Sequence, residues 1–229
     1  MDRLSRIRFL LGDQAVKKLG QSSVMIVGCG AVGSFAVEAL ARSGIGHIIL
    51  VDHDIVEESN INRQLFALDS THCRPKVDVA AARIYDINPD INVDARRIFF
   101  DDQSDLDVTP DVVIDAIDTI ESKIALYKWC AARGIPCMTS MGAARKRDVT
   151  AIRVAPLSKT SVCPMASKIR RLVRDAGLPE FMAVYSLEPA TDAVAPGRVF
   201  GSIVTVTGAF GLYLANLAID HIVSKVDHV

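Results

Sequence analysis

The chain has 229 residues, a formal net charge of −1, and a composition of 50% apolar and 23% charged residues. This composition argues against a disordered or coiled-coil chain, and the length predicts one globular α/β unit with its own core. The near-zero charge predicts no general attraction to nucleic acid. Five cysteines without a CxxC pair, and no signal peptide ahead of them, indicate reduced thiols in a cytoplasmic protein.

Short apolar runs alternate with stretches of helical periodicity along the first two thirds of the chain. Continuous apolar strands linked by amphipathic helices predict a doubly wound, mostly parallel Rossmann-like sheet with helices on both faces. The predicted elements, in chain order, are strand 23–28, helix 31–42, strand 48–52, helix 76–87, strand 91–98, strand 112–116, helix 122–133 and strand 136–140.

After residue 147 the rhythm changes and predicts a C-terminal α/β elaboration. The run 199–219 contains no charged residue and is long enough to span a bilayer. Its Gly, Ser, Thr and Asn residues favour a buried helix instead, so we expect no integral membrane span and leave peripheral membrane contact open. The remaining predicted elements are strand 150–155, a polar loop at 158–161, helix 165–176, strand 183–186 and a Pro- and Gly-rich loop at 188–201.

A glycine-rich turn follows the first strand and opens the first core helix. Gly28, Gly30 and Gly33 are spaced for a tight turn, a close backbone approach and helix-on-strand packing around a bound phosphate. Asp52, at the end of the next strand, is placed to accept hydrogen bonds from ribose hydroxyls. Together these features predict a nucleotide. Taken alone they favour a nicotinamide enzyme, although NAD, FAD, SAM and ATP proteins all use this arrangement.

A cluster of polar side chains just beyond Asp52 favours a triphosphate instead. A guanidinium forks onto phosphate oxygens, and amide groups add hydrogen bonds without excess charge. Lys76, which opens the next helix, can reach a β- or γ-phosphate, and Asp118 follows a later strand where a carboxylate can hold Mg²⁺. The cluster contains Asp54, Asn60, Asn62, Arg63 and Gln64.

The motifs GCGAVGS, LVDHD, NINRQ, RPK and DAIDT, in this order and spacing, resemble the ThiF/MoeB/ubiquitin-activating superfamily, whose members adenylate a carboxylate with ATP. The resemblance covers essentially the whole chain. It implies one adenylation domain over 1–229, with a nucleotide-binding core at 1–147 and a substrate and dimer elaboration at 148–229. It also implies a homodimer in which an N-terminal arginine, Arg8 or secondly Arg6, reaches the partner subunit's site. The residues implied in handling ATP and Mg²⁺ are Asp52, Asn62, Arg63, Gln64, Lys76 and Asp118.

The C-terminal third resembles the tRNA threonylcarbamoyladenosine dehydratases in SKTSVCPMA (158–166), VYS (184–186) and the GS pair at 201–202. One departure is GAAR at 142–145, where many relatives read GAGN. The resemblance implies ATP-dependent cyclisation of threonylcarbamoyladenosine in tRNA through adenylation of its carboxylate, with release of AMP and pyrophosphate. Two alternatives are activation of the C-terminus of a ubiquitin-like sulfur-carrier protein and a nonenzymatic nucleotide-binding scaffold. Without CxxC pairs we expect no structural zinc, and a monovalent cation stays open.

Two further features allow more than one interpretation. Cys163 precedes Pro164 at a helix start, a setting that favours a reactive thiolate, but it is equally a small packing residue. A reactive thiol would suit sulfur-acceptor or cysteine desulfurase proteins as partners. The basic residues of the following helix contact tRNA phosphates or form a solvated face. They are Lys168, Arg170, Arg171 and Arg174, joined by Arg145, Lys146 and Arg147.

Overall fold

A seven-stranded sheet lies at the centre of the structure, a computed structural model that describes residues 1–191 and 200–224. The strands, in chain order, are β1 (Ser23–Val27), β2 (His47–Val51), β3 (Asn92–Arg96), β4 (Val112–Asp115), β5 (Cys137–Ser140), β6 (Ile152–Pro156) and β7 (Met182–Ser186). Their order across the sheet is β3-β2-β1-β4-β5-β7-β6, and only β6 is antiparallel to its neighbour. The predicted doubly wound, mostly parallel sheet is confirmed.

Seven α-helices surround this sheet in the described part of the chain. They are α1 (Ser5–Leu11), α2 (Asp13–Gln21), α3 (Gly33–Arg42), α4 (Lys76–Ile87), α5 (Ile120–Arg133), α6 (Pro164–Asp175) and α7 (Val204–Val223). α1 and α2 were not predicted from the sequence. The start of α3 is two residues later than predicted, because Ala31 and Val32 belong to the glycine turn. Most of the predicted loop at 188–201 lies outside the described residues.

The hydrophobic core consists of two layers, one on each face of the sheet. Alternate residues of β1 show the division: Val24 and Ile26 belong to the layer with α3, α4 and α7, while Met25 and Val27 belong to the layer with α5 and α6. Successive side chains of a strand point to opposite faces, so a strand that is apolar throughout is buried on both. This burial places helices over both faces, as predicted.

The C-terminal elaboration extends the same sheet. β7 pairs in parallel with β5, and β6 pairs antiparallel with β7 from Ile152 opposite Ser186 to Pro156 opposite Met182. The predicted stretch 148–229 therefore shares the sheet of the predicted core at 1–147, and its loops can reach the same edge.

The last helix is the one described helix long and apolar enough to cross a membrane. Half of its apolar window is buried inside the protein. α7 packs along α3, where Gly208 faces the ring of Phe35 and Gly211 lies against the backbone of Val32 and Ala36. This packing supports the prediction of a core helix.

Candidate functional site

A cavity of about 370 Å³ lies at the carboxyl edge of the sheet. Its wall includes Val27 and Val51 at the ends of β1 and β2, Ala116 just after β4, and Ser140 at the end of β5. β1 lies between β2 and β4, so the connections diverge to opposite sides at this point. A crevice at such a switch point is where open α/β sheets bind ligands, and its volume suits a small molecule of nucleotide size.

The glycine turn forms the floor of the cavity. Gly28 has a φ of 95°, and a Cβ there would lie 2.7 Å from the carbonyl oxygen of Ala116. A Cβ at Gly33 would lie 1.7 Å from the carbonyl oxygen of Gly28, so Gly33 serves the packing of α3 and does not line the cavity. Gly30 does line it, and no protein atom lies closer than 3.7 Å to its Cβ position. The open space at Gly30 suits close approach of a ligand.

Asp52 is held rigidly between the glycine turn and the end of β2. Its Oδ2 accepts a hydrogen bond from the backbone N–H of Cys29 at 2.7 Å, and its Oδ1 accepts one from the N–H of Asp54 at 2.9 Å. Each carboxylate oxygen has a further acceptor position. The arrangement leaves Asp52 on the cavity wall able to accept hydrogen bonds from vicinal hydroxyls, as predicted for a ribose.

The polar loop after β2 brings a guanidinium to the cavity. Nη1 of Arg63 donates to the carbonyl of Ser59 at 2.6 Å and to Oδ1 of Asn62 at 2.9 Å. Its Nε and Nη2 have no hydrogen-bond partner among the described residues. Gln64 is buried beside Arg63 and also lines the cavity. Arg63 is therefore oriented by its own loop, with one edge of the guanidinium open to an anion.

Lys76 reaches the cavity from the start of α4. The sequence predicted a lysine free to bind a phosphate, but in the structure its ammonium group is already paired. Its side chain is only 9% exposed, and Nζ makes a 2.8 Å ion pair with Oδ2 of Asp54. Oδ1 of Asp54 lies 3.1 Å from Nε2 of His53. A phosphate at Lys76 would therefore share or replace the Asp54 contact.

Asp118 lies at the cavity wall, three residues after β4. It is exposed, and it accepts no hydrogen bond from any residue in the described part of the chain. Mg²⁺ in nucleotide sites is commonly held by one or two carboxylates together with phosphates and water. The open carboxylate of Asp118 fits this chemistry.

Below Asp118, a buried polar network fixes the end of β4. Oδ2 of Asp115 contacts Nζ of Lys123 at 2.7 Å, Oη of Tyr127 at 2.7 Å and Oγ1 of Thr139 at 2.6 Å. Nζ of Lys123 also donates to the carbonyl of Ser140 at 2.7 Å. The network joins the ends of β4 and β5, both of which border the cavity. The backbone N–H of Ile117 donates to Oδ1 of Asp115, so the network also shapes the loop that carries Asp118.

The charge of the cavity wall is unusual for a triphosphate site. Three carboxylates line it, against two described cations. A triphosphate carries about four negative charges near neutral pH, and unpaired charges of one sign repel. This wall therefore needs additional positive charge before it can hold a triphosphate. The carboxylates are Asp52, Asp54 and Asp118, and the cations are Arg63 and Lys76.

Several predicted site residues do not line the cavity of this protomer. Oδ1 of Asn60 accepts from the backbone N–H of Glu57 and caps the loop, because Asn60 is buried within it. Nδ2 of Asn62 donates to the carbonyl of Ser202 at 3.3 Å, which ties the loop to the entry of α7. Both residues are held by bonds within the protein, and their contact with a nucleotide stays a prediction.

Arg8 does not line the cavity of its own protomer. It lies on α1 and pairs with Asp2 and Asp13, each at 2.9 Å. The adjacent Phe9 and Leu10 are 73% and 81% exposed. The role of Arg8 at the site of a partner subunit stays a prediction.

The cysteines show no exposed reactive thiol near the cavity. Cys163 is buried at the N-cap of α6, and its Sγ lies 3.5 Å from the position a Cβ would take at Gly142. This burial favours the packing role over the reactive one. Burial also raises the pKa of the Cys29 thiol well above its usual value, with the charge of Asp52 adding to the effect. Cys29 is therefore protonated despite its place in the turn.

Several residues of the site were not predicted from the sequence. Lys123 and Tyr127 are one helical turn apart on α5, and this i, i+4 spacing opposite a strand-end aspartate was the available signal. Phe99 follows β3, and Phe200 precedes α7. Both line the cavity and are 50% and 59% exposed. Sequence alone gave no reason to bring these two rings to one cavity, because they are 101 positions apart.

The sequence model of the ThiF family matches residues 2–228. The chain belongs to the ThiF family. Within this family it is 46% identical over 181 residues to the tRNA threonylcarbamoyladenosine dehydratase of Bacillus subtilis, covering 78% of this chain and 71% of that protein. It is 35% identical over 247 residues to the enzyme of the same name from Haemophilus influenzae, covering 97% of this chain and 94% of that protein.

A solved structure of a ThiF-type fold gives the same relationship in three dimensions. The Escherichia coli tRNA N6-threonylcarbamoyladenosine dehydratase, TcdA, in complex with ATP, matches 98% of this chain and 95% of its own with a TM-score of 0.89 and 35% identity. The likeness includes β6, β7 and α7, as well as the sheet that carries the glycine turn.

Proposed function

We propose that the protein is an ATP-dependent tRNA threonylcarbamoyladenosine dehydratase. The observation that carries the proposal is the full-length likeness to enzymes of that name, which extends through the C-terminal elaboration. A likeness limited to the glycine turn would support only nucleotide binding, because fold and function are separable.

The described cavity supplies the contacts that adenylation requires. Asp52 accepts hydrogen bonds from the ribose, and the glycine turn at the start of α3 presents backbone N–H groups to a phosphate. Arg63 and Lys76 neutralise charge on the transferring phosphoryl group, and this is the main task of a protein in phosphoryl and nucleotidyl transfer. Asp118 would hold Mg²⁺, which supplies further positive charge to the phosphate oxygens.

The reaction proceeds in two displacements. The threonyl carboxylate of the modified adenosine attacks the α-phosphorus of ATP, and pyrophosphate leaves. The carbamoyl nitrogen or oxygen then attacks the activated carbonyl and closes a ring, a carbamoyl N–H gives up its proton, and AMP leaves. One carboxylate oxygen departs on AMP, so the nucleoside loses the elements of water. The protein holds the reacting groups in line and excludes bulk water.

A second copy of the chain completes the site. The wall carries more negative than positive charge, and Arg8 lies outside it on a helix with exposed Phe9 and Leu10. Packing this apolar surface against a second copy would bury it and carry Arg8 to the partner's phosphates. The contact is isologous, so both sites of a two-fold dimer receive an arginine.

The basic face of α6 provides a surface for the tRNA backbone. Lys168, Arg170, Arg171 and Arg174 line one shallow depression. Arg170 donates hydrogen bonds to Thr160, and Arg174 pairs with Asp175, whereas Lys168 and Arg171 make no hydrogen bond or ion pair within the described part of the chain. Met165, one turn earlier on the same helix, lines the cavity. Phosphates bound along α6 would therefore lie next to the cavity.

The decisive experiment incubates the protein with ATP, Mg²⁺ and tRNA that carries threonylcarbamoyladenosine. Mass spectrometry of the digested nucleosides should show loss of one water, with AMP and pyrophosphate formed in equal amounts. Omission of ATP and an Arg63→Met variant are the controls. An unchanged nucleoside, together with pyrophosphate exchange that depends on a sulfur-carrier protein ending in Gly-Gly, would replace the proposal with the carrier-activating alternative.

A further inference from the structure

Phe200 is an exposed aromatic ring on the cavity wall that no step of the proposed reaction uses. It keeps 59% of its surface exposed, and exposed apolar surface at the mouth of a pocket is typical of a ligand contact. The backbone beside it is held in place. The carbonyl of Gly201 accepts from the N–H of Arg145 at 2.8 Å, and the carbonyl of Ser202 accepts from Asn62. The ring therefore stands at a defined position.

A guanidinium lies over this ring. Cζ of Arg145 is 5.6 Å from the centroid of Phe200, within the range of a cation–π contact. The Arg145 side chain is oriented by a 2.6 Å hydrogen bond from its Nε to the carbonyl of Thr191. A cation on one face and 59% exposure of the side chain leave room on the ring for a second planar group.

The position of Phe200 along the cavity separates it from the ATP ribose. Asp52 follows β2 and Phe99 follows β3, whereas Gly142 lies just beyond the end of β5 and Phe200 contacts Arg145 on the same loop after β5. The ends of β3 and β5 are four strand spacings apart, or about 19 Å at about 4.8 Å each. The nucleoside of ATP occupies the β2 side, so the β5 side faces the other substrate.

The other substrate is a tRNA, and the part of it that reacts is a modified nucleoside. Enzymes that act on a base in a nucleic acid take it out of its stack, and aromatic side chains or guanidinium planes replace the lost stacking. A phenyl ring that is already covered by a guanidinium on one face supplies such a surface.

We propose that Phe200, backed by Arg145, is the platform on which the adenine of the tRNA substrate stacks while its carboxylate reaches the α-phosphate of ATP. The proposal rests on the dehydratase function. It assigns the β5 end of the cavity to the substrate nucleoside and the β3 end to ATP.

The test compares steady-state dehydration of modified tRNA by the full-length wild type and by Phe200→Ala, Phe200→Leu and Phe200→Tyr. Stacking of one base on an aromatic ring predicts that the first two variants raise the KM for tRNA about tenfold. Phe200→Tyr keeps the ring and should stay within about twofold of the wild type. The KM for ATP should be unchanged in all three. Phe99→Leu is the contrasting variant, since it should raise the KM for ATP and leave that for tRNA.

Other outcomes overturn the platform. Wild-type values for Phe200→Leu would show that bulk alone suffices. A KM change for ATP would place the ring on the other substrate, and loss of the dimer in sedimentation would make Phe200 an interface residue. These results all require turnover by the wild type. If the wild type leaves modified tRNA unchanged, the proposed function itself has failed, and the platform fails with it.

Discussion

At the residue scale, Asp115 shows how a buried charge prepares a site that it does not touch. Its side chain and that of Lys123 are fully buried, and a buried ion pair is tolerated only when further hydrogen bonds satisfy both groups. Tyr127, Thr139 and the Ser140 carbonyl provide these bonds. Burial, together with the charge of Asp115, raises the pKa of the Tyr127 hydroxyl well above its usual value. Tyr127 therefore remains a hydrogen-bond donor at neutral pH.

Removal of that one donor should be measurable as stability. Tyr127→Phe keeps the ring stacked on Phe181 but leaves Asp115 and Thr139 short of a partner. We expect the free energy of unfolding to fall by about 1–3 kcal/mol, the usual cost of an unsatisfied buried group. Urea unfolding measures it, with Tyr85→Phe on exposed α4 surface as the control. Equal stability of the two variants would contradict the assigned hydrogen bond.

Lys76 should affect ATP binding through the loss of one charged hydrogen bond. Lys76→Met keeps the length of the side chain but removes the ammonium, and it leaves Asp54 facing the phosphates without its ion pair. We expect the Kd for ATP, measured by calorimetry, to rise about 10- to 100-fold. Lys17→Met, on the exposed side of α2, is the matched control. An unchanged Kd would place the phosphates away from α4.

The residues of the site divide by how far sequence reasoning could reach them. Asp52, Lys76 and Asp118 were predicted because each lies near a strand end or at a helix start, and parallel strands end at one edge. Arg63 was predicted from the polar cluster in the loop beyond Asp52. Their hydrogen-bond partners were not. The ion pair between Lys76 and Asp54 and the hydrogen bond from the Glu57 N–H to Asn60 depend on side-chain rotamers. Sequence periodicity does not predict rotamers, so it could not predict these contacts.

At the scale of elements, the strands were predicted well because burial on both faces requires a continuous apolar run. The two outer strands are exceptions: β3 carries the polar residues Asn92, Asp94 and Arg96, and Ile152 is the one buried residue of β6. α1 and α2 were missed. α1 has only seven residues, and its apolar side chains Phe9 and Leu10 are exposed. Its apolar residues therefore do not repeat at the spacing of a helix face that packs on the core of its own subunit.

α3 and α4 are joined by an ion pair that should make stability depend on pH. Burial alone would raise the pKa of Glu38, but hydrogen bonds from Arg83 and Arg42 lower it below the ordinary 4.5. A depressed carboxyl pKa stabilises the fold above about pH 4.5, and this contribution is lost as pH falls through the folded-state value. We expect Glu38→Gln to cost about 0.5–1 kcal/mol at pH 7 and progressively less toward pH 3. Urea titrations across this range test it. If the difference in unfolding free energy between the wild type and Glu38→Gln is the same at every pH, the charge of Glu38 does not contribute to stability.

α6 should contribute to tRNA affinity through charge. Reversal of Lys168 and Arg171 to glutamate is expected to raise the KM for tRNA about tenfold at low salt and less at high salt, because phosphate contacts release counterions. The KM for ATP should not change. A matched double reversal of Lys17 and Lys18 on α2 controls for net charge. If the two double variants behave alike, α6 is a solvated face.

At the scale of the whole molecule, the proposal that Arg8 reaches the active site of a partner subunit can be tested with mixed dimers. Arg8→Ala removes the donated arginine, and Lys76→Met disables the receiving site. In a mixed dimer, the Lys76→Met subunit supplies its intact Arg8 to the partner, whose Lys76 is intact. Equal mixing should restore about a quarter of wild-type activity, since half the dimers carry one working site. If activity is not restored although sedimentation shows that the mixed dimers form, Arg8 does not act at the partner's site.

The two outer strands of the sheet also limit how copies of this chain can associate. β3 presents Asp94 and Arg96 as an ion pair, and β6 carries Arg153 and ends in a proline that has no N–H to donate. Charged and proline-bearing margins discourage strand-by-strand addition of another chain. Copies of the chain are therefore expected to associate through their helices and not by pairing the edges of their sheets. These two edge strands should also limit aggregation of the protein at high concentration.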